Sequence, residues 1–279
     1  MSKSDSENLE SPTPASEETE SESLTIEQAI ANLQGTDRGS RYYAAWWLGR
    51  FRIHEEAAIK ALIAALDDEG DRTPDGGYPL RRNAARALGK LGDTRAIPAL
   101  INCLDCSDYY VRESAAESLG VLDNNRESIP KLMEMLDLET VHSEKNQPLA
   151  AIIEALGNLG ATEAIENIKP FLEHSVDLVK YSALRAMYQL SKESCYGDEL
   201  VKALDGDNLQ LRRSALADLG AIGYLNAAEA VTETLAENSL KLISLKGILE
   251  HQLEMPLDNV APSICDVSIR VMKLMDSLL

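Results

Sequence analysis

The feature that most constrains this chain is a nine-residue pattern that returns six times. It reads RYYAAWWLG from Arg41, RRNAARALG from Arg81, RESAAESLG from Arg112, LAAIIEALG from Leu149, KYSALRAMY from Lys180 and RRSALADLG from Arg212. Successive starts lie 40, 31, 37, 31 and 32 residues apart. A unit of about 31 residues repeated in tandem implies a supersecondary element whose apolar face is covered by the next copy, because one copy cannot bury it alone. The first and third intervals are longer, and their inserts, EGDRTPDGGYPL and TVHSEKNQP, have the composition of loops.

Between these second halves lie shorter apolar blocks: IEQAIANL, AAIKALIAAL, RAIPALINCL, ESIPKLMEML, EAIENIKPFL, DELVKAL and AAEAVTETL. Apolar residues recur in them at spacings of three and four, the pattern of a helix with one buried stripe. The unit is therefore helix, turn, helix. Gly49, Gly89, Gly120, Gly157 and Gly220 close most second helices and are expected to supply left-handed C-terminal residues. Leu and Ala make up about a quarter of the chain, which favours helices packed closely through small side chains. The expected fold is all-α: a right-handed α-solenoid of six to seven HEAT-like helix pairs over residues 24–279. A degenerate seventh pair around LKLISLKGILEHQ and the final VSIRVMKLMDSLL are expected to cap it. Residues 1–23 carry seven acidic residues, one Lys and a single Leu, too little apolar surface to offset the entropy of ordering, and are expected to be a disordered tail.

Composition narrows the function classes. A formal charge of -19 disfavours nucleic acid and anionic membrane as partners. No apolar stretch reaches the ~20 residues of a membrane span and no signal peptide is evident, so a soluble cytoplasmic protein is expected. Cys103, Cys106, Cys195 and Cys265 are too few for a disulfide scaffold, which fits a reducing compartment. Cys103 and Cys106 form one CxxC without a second pair or a nearby His, and His54, His142, His174 and His251 show no metal-binding spacing, so no metal site is expected. No nucleophile elbow or phosphate-binding glycine loop is present.

The second helices carry the chemistry. Val111, Ala115 and Leu119 recur every fourth residue and should face the core, which leaves Glu113 and Glu117 on the other side. At the offset of Glu117 the stack presents Trp46, Arg86, Glu154 and Arg185. At that of Glu113 it presents Tyr42, Arg82, Ala150, Tyr181 and Arg213. Aromatic, cationic and anionic groups thus share one strip, expected on the concave face. Trp47 aligns with Ala87 and Ala155 and is expected to fill the core, whereas Trp46 aligns with charged residues. The Gly-rich insert should place Tyr78, Arg81 and Arg82 at the groove. In SDYYVRE, Asp108 reads as a helix N-cap, and Tyr109 and Tyr110 as capping or ligand-contacting residues.

YYAAWWLGRFR, DRTPDGGYPLRRNAARALGKLGD and CLDCSDYYVRE, in this order and spacing, resemble the E subunit (CpcE type) of the heterodimeric phycobilin lyases that act on the phycocyanin α subunit. The resemblance covers most of residues 24–279 and is most specific from Ile26 to about Leu122. It implies a heterodimer with an F-type subunit, and covalent attachment of phycocyanobilin, through a thioether bond, to a cysteine of the phycocyanin α subunit. The bilin is then a substrate, with no tightly bound cofactor implied. A bilin has a flat π system, two propionates and pyrrole N–H groups, so its site needs aromatics, cations and a carboxylate. On that reading Tyr42, Trp46, Tyr78, Tyr109 and Tyr110 contact the rings, Arg82 and Arg86 take the propionates, and Glu117 or Asp108 holds the pyrrole nitrogens and supplies a proton. Two alternatives stand beside it: the E-type subunit of a phycoerythrocyanin lyase-isomerase, and a non-enzymatic adaptor that grips phycobiliproteins.

Overall fold

Each repeat folds as its periodicity requires. The structure, a computed structural model, describes residues 24–122, 125–137, 146–253 and 266–279. The acidic tail, most of the TVHSEKNQP insert, His142 and Cys265 lie outside the described residues. Among the described residues seven helix pairs follow one another: α1 (Ile26–Leu33) and α2 (Arg38–Arg50), α3 (Glu56–Ala65) and α4 (Pro79–Leu91), α5 (Ile97–Cys103) and α6 (Tyr109–Leu119), α7 (Ile129–Met135) and α8 (Leu149–Asn158), α9 (Ile165–Ile168) and α10 (Asp177–Ser191), α11 (Ser194–Lys202) and α12 (Leu209–Ala221), and α13 (Ala228–Glu233) and α14 (Asn238–Leu253). A last helix, α15 (Asp266–Asp276), packs on α13 and α14 and closes the end. The LKLISLKGILEHQ segment is the second helix of the seventh pair, and the final segment is the cap.

Side chains at the entries fix where the helices begin. Thr25 and Gln28 form a capping box on α1, Asp37 accepts from the Ser40 amide at α2, and Asn208 accepts from the Gln210 and Leu211 amides at α12. Pro79, Pro98 and Pro130 sit in the first turns of α4, α5 and α7, where no amide partner is needed.

The second helices pack directly on one another from α2 to α14, whereas contacts between successive first helices are sparser. Where such a stack curves, its more tightly packed row is on the inside, which puts the second helices on the inner side. What allows this close approach is the repeated glycine, and here the sequence expectation is corrected. Gly49, Gly89, Gly120, Gly157 and Gly220 keep right-handed backbone. A β-carbon on Gly120 would sit 2.7 Å from the Cα of Ala155, and one on Gly49 would sit 2.7 Å from the Cα of Ala87. The left-handed position comes three residues later, at Gly92, Gly160 and Gly223, and in the first pair at Arg52, with φ of 51°.

The core runs along the stack in two buried clusters, one from Ala29 to Met187 and one from Leu184 to Val271, which meet at α10. Val111, Ala115 and Leu119 are fully buried, and Trp47 is partly buried against the first cluster.

Candidate functional site

The first residue of the repeated pattern is structural. Each first helix ends with carbonyls that lack intrahelical partners, and in five of the pairs a basic side chain from the second helix takes up carbonyls at or beyond such an end. Arg41 Nε donates to the Leu33 carbonyl at 3.0 Å, Arg81 Nε to that of Asp68 at 2.7 Å, and Arg112 Nη1 to those of Cys106 and Ser107 at 2.7 and 3.0 Å. Arg212 donates to the Gly206 and Leu235 carbonyls, and Lys241 Nζ to that of Thr232 at 2.9 Å. Arg81 is therefore turned into the loop behind it, not poised at the groove.

The Gly-rich insert is likewise tied down. Thr73 and Gly77 exchange hydrogen bonds, and the buried Asp71 carboxylate accepts from the Leu80 amide at 2.7 Å. Tyr78 is only 5% exposed: its hydroxyl donates to Glu69 at 3.0 Å and the Arg81 guanidinium covers its ring at 4.2 Å from the centroid. Asp108 caps α6 through the Tyr110 amide at 2.9 Å and holds the insert through the Tyr78 amide at 2.7 Å. Both of its carboxylate oxygens thus accept backbone N–H groups, which makes Tyr78 and Asp108 a clamp between the second and third repeats. The geometry gives neither the exposed role assigned to it from sequence.

The remaining strip residues come together on the second helices. Trp46 is 45% exposed and stacks on Tyr43, with centroids 5.5 Å apart and planes at 29°. Tyr42 lies against the Asp71 carboxylate, and burial together with that charge holds its phenol above the usual value. Arg82 lies over the exposed Tyr110 ring at 5.6 Å, and Tyr109 meets Tyr110 edge-on at 5.4 Å. Tyr109 neighbours Glu113, and burial first, then that carboxylate, raises its phenol. Arg86 approaches Glu113 and Glu117, each at 3.9 Å. Partial burial, with Glu113 and Glu154 nearby, raises the Glu117 carboxyl above its ordinary value, and Arg86 opposes this only in part. Glu117 therefore keeps a proton closer to neutrality than a free carboxylate does.

Further along, Arg185 bridges Glu154 at 3.7 Å and Asp218 at 3.1 Å, and Ser182 donates to Glu154 at 2.7 Å. Asp218 was missed by sequence reasoning, although the signal was there: it is a carboxylate where the other copies of the pattern carry Trp47, Ala87, Ser118, Ala155 and Ala186. Burial pushes its pKa up to about 7 despite Arg185. Cys103 is buried and its thiol is pushed up to about 12, which leaves it a poor nucleophile. Among the described residues no three His, Cys, Asp or Glu side chains gather as a metal site, and no helix is long and apolar enough to cross a membrane.

A HEAT-type solenoid with an aromatic, cationic and acidic inner strip is the class these features define. The HEAT-repeat family matches residues 26–119 and 72–147, and the PBS lyase HEAT-like repeat matches 149–174. The chain is 59% identical to the phycocyanobilin lyase subunit alpha of Nostoc sp. (strain PCC 7120), over 92% of this chain and 94% of that one. It is 50% identical to the Synechocystis sp. (strain PCC 6803) protein of the same name, over 91% and 96%. The Nostoc bilin biosynthesis protein PecE is less similar, at 45% over 82% of this chain and 88% of that one. In the solved complex of CpcE and CpcF of phycocyanin lyase from Nostoc, one chain superposes with a TM-score of 0.83 at 55% identity, covering 98% of this chain and all of that one. This chain belongs to the family of phycocyanobilin lyase alpha subunits.

Proposed function

We propose that this chain is the E-type half of a heterodimeric phycobilin lyase that joins phycocyanobilin, through a thioether bond, to a cysteine of the phycocyanin α subunit. The observation that carries this reading beyond family membership is the row Trp46, Arg86, Glu117, Glu154 and Arg185, one residue from each of five consecutive second helices. It offers a ring platform, cations and carboxylates along one inner face, the groups a flat dicarboxylate chromophore needs.

In the reaction the acceptor's Sγ bonds to the ethylidene carbon of ring A. The exocyclic double bond is consumed, the thiol proton ends on the bilin, and nothing leaves. The nucleophile belongs to the acceptor protein, so this chain need supply no reactive cysteine. Its task is to orient the bilin, present one face of ring A and keep water away, which is catalysis by positioning. Trp46 offers the ring surface, with Tyr43 stacked behind it. Arg82 lies over the Tyr110 ring and Arg86 stands between Glu113 and Glu117, and Glu117, with its raised affinity for a proton, is suited to stabilise a protonated pyrrole system or deliver a proton to it.

The test is co-expression with the F-type partner, the phycocyanin α apoprotein and a bilin source, reading zinc-enhanced bilin fluorescence on the α band after denaturing electrophoresis. No covalent bilin above the lyase-free background sinks the reading. Trp46→Ala and Arg86→Ala should each slow attachment about tenfold or more, the scale of losing one charge-assisted or aromatic contact. Helicity and partner binding should be unchanged. Full-rate attachment in both variants would remove the strip from the mechanism.

A further inference from the structure

A groove of about 650 Å³, open to solvent, runs beside the strip where the C-terminal ends of α4 and α6 meet the residue two beyond α2. Arg52, Arg86, Lys90 and Glu117 form its charged walls, with Ser118 and Val121 between them. Its charges are largely unspent. Among the described residues the Arg52 guanidinium and the Lys90 ammonium make no hydrogen bond or ion pair, and the Arg86 guanidinium has only its two 3.9 Å approaches to Glu113 and Glu117. In a chain of net charge -19 this is an unusual concentration of free positive charge. Three cations and one carboxylate leave +2, which matches a ligand carrying two carboxylates.

Arg52 adds a backbone argument. It occupies the left-handed position that Gly92, Gly160 and Gly223 hold in other repeats. A side chain there is costly, and a cost of this kind persists where the residue is needed for something other than folding. Among the described residues nothing pairs with the Arg52 guanidinium, which leaves it available to a ligand.

We propose that this groove receives the two propionates of the linear tetrapyrrole, with Arg52 and Lys90 as their ion partners and Arg86 joining the groove to the ring-binding row at Trp46. The inference rests on the reading of the chain as a phycocyanobilin lyase subunit. It adds a direction: the ring system lies along the strip toward α2 and the carboxylates turn toward the C-terminal ends of α4 and α6.

The test uses the full chain co-purified with its F-type partner and titrates phycocyanobilin and its dimethyl ester, following the bilin absorbance. The wild type should bind the free diacid on the order of tenfold or more tightly than the ester. Arg52→Gly places the residue of the other repeats at the left-handed position, so thermal stability should be kept while diacid affinity falls on the order of tenfold and ester affinity stays unchanged. Lys90→Gln should behave likewise. The proposal is overturned if both variants bind the diacid as the wild type does, if the wild type does not distinguish diacid from ester, or if the variants bind normally and lose only transfer, which would turn these cations toward the acceptor protein. A wild-type heterodimer that neither binds nor attaches phycocyanobilin would instead sink the lyase reading itself.

Discussion

Asp218 shows how a single residue departs from its repeat. Its buried carboxylate has Arg185 as its cation and Glu154 as a second anion nearby, and burial lifts its pKa to about 7. Because the folded value lies above the unfolded value of about 4, the native state holds more protons than the unfolded chain between those pH values. This contribution to stability is therefore greatest at low pH and declines as pH rises through neutrality. Asp218→Asn keeps the shape and one acceptor for Arg185, which still has Glu154. The variant should lose that pH dependence and gain about 1–2 kcal/mol over the wild type at pH 8, less than the full shift implies because the Arg185 pairing is weakened. Urea unfolding of both proteins at pH 5 and pH 8 checks this, and equal slopes against pH would contradict it. Offset counting along the repeat was enough to find Arg86, Glu117 and Trp46, since an exposed helical position is fixed by local periodicity. It could not find the burial of Tyr78 or the double acceptance by Asp108, which depend on how a loop of one repeat meets the helix start of the next. Nor could the count of arginines separate Arg41, Arg81 and Arg112, whose guanidinium groups take up carbonyls at or beyond helix ends, from Arg52, Arg82 and Arg86, whose groups do not.

At the level of elements, the close row of second helices depends on a missing side chain. In an isolated helix Gly→Ala is favourable by about 1 kcal/mol. At Gly120 the sign should invert, because the new β-carbon would lie 2.7 Å from the Cα of Ala155 and 2.9 Å from its Cβ, and neither can yield without moving α8. Gly120→Ala should destabilise by about 1–3 kcal/mol, the usual cost of overpacking, and calorimetry or denaturant melts would read it. A gain would mean that the α6 and α8 backbones are not in contact. The sequence announced where these glycines fall but not their purpose. A Gly at the end of an amphipathic block is read as a left-handed cap, and only the neighbouring helix reveals that closeness, not backbone freedom, selects it. In the pairs closed by Gly49, Gly89, Gly157 and Gly220 the turn three residues later carries the left-handed residue, and the same alignment could have exposed Arg52 as the member of these four that is not glycine.

For the whole molecule, the net charge of -19 conceals an uneven distribution. Residues 38–126 sum to zero and hold eleven of the fifteen arginines and eight of the thirteen aromatics, whereas residues 127–279 carry -11. The strip and groove argued above fall mainly in that neutral part, from α2 to α6. Packing is uneven in the same sense. The first buried cluster is far larger than the second, which ends on the six-residue α13 and the closing helix α15. Among the described residues a groove of about 600 Å³ lies between α14 and α15, lined by Leu242, Ile243, Leu249, Met272 and Met275, and Ile243 is 65% exposed. The repeat count and the helix pairing were legible because every pair keeps the same apolar pattern despite two inserts; the imbalance was not, since it arises from how completely each interface closes. In a stack where repeats touch only their neighbours, stability is a sum of local interfaces, and a weakly closed end opens first. Amides of α13 to α15 in the isolated chain should therefore exchange with solvent faster than those of α4 to α8, by about tenfold for each 1.4 kcal/mol of difference between the two ends. Native-state hydrogen exchange resolved by peptide measures this directly. Equal protection from α4 to α15 would show that the two buried clusters unfold as one cooperative unit through α10, and that the open groove at the far end costs the fold nothing.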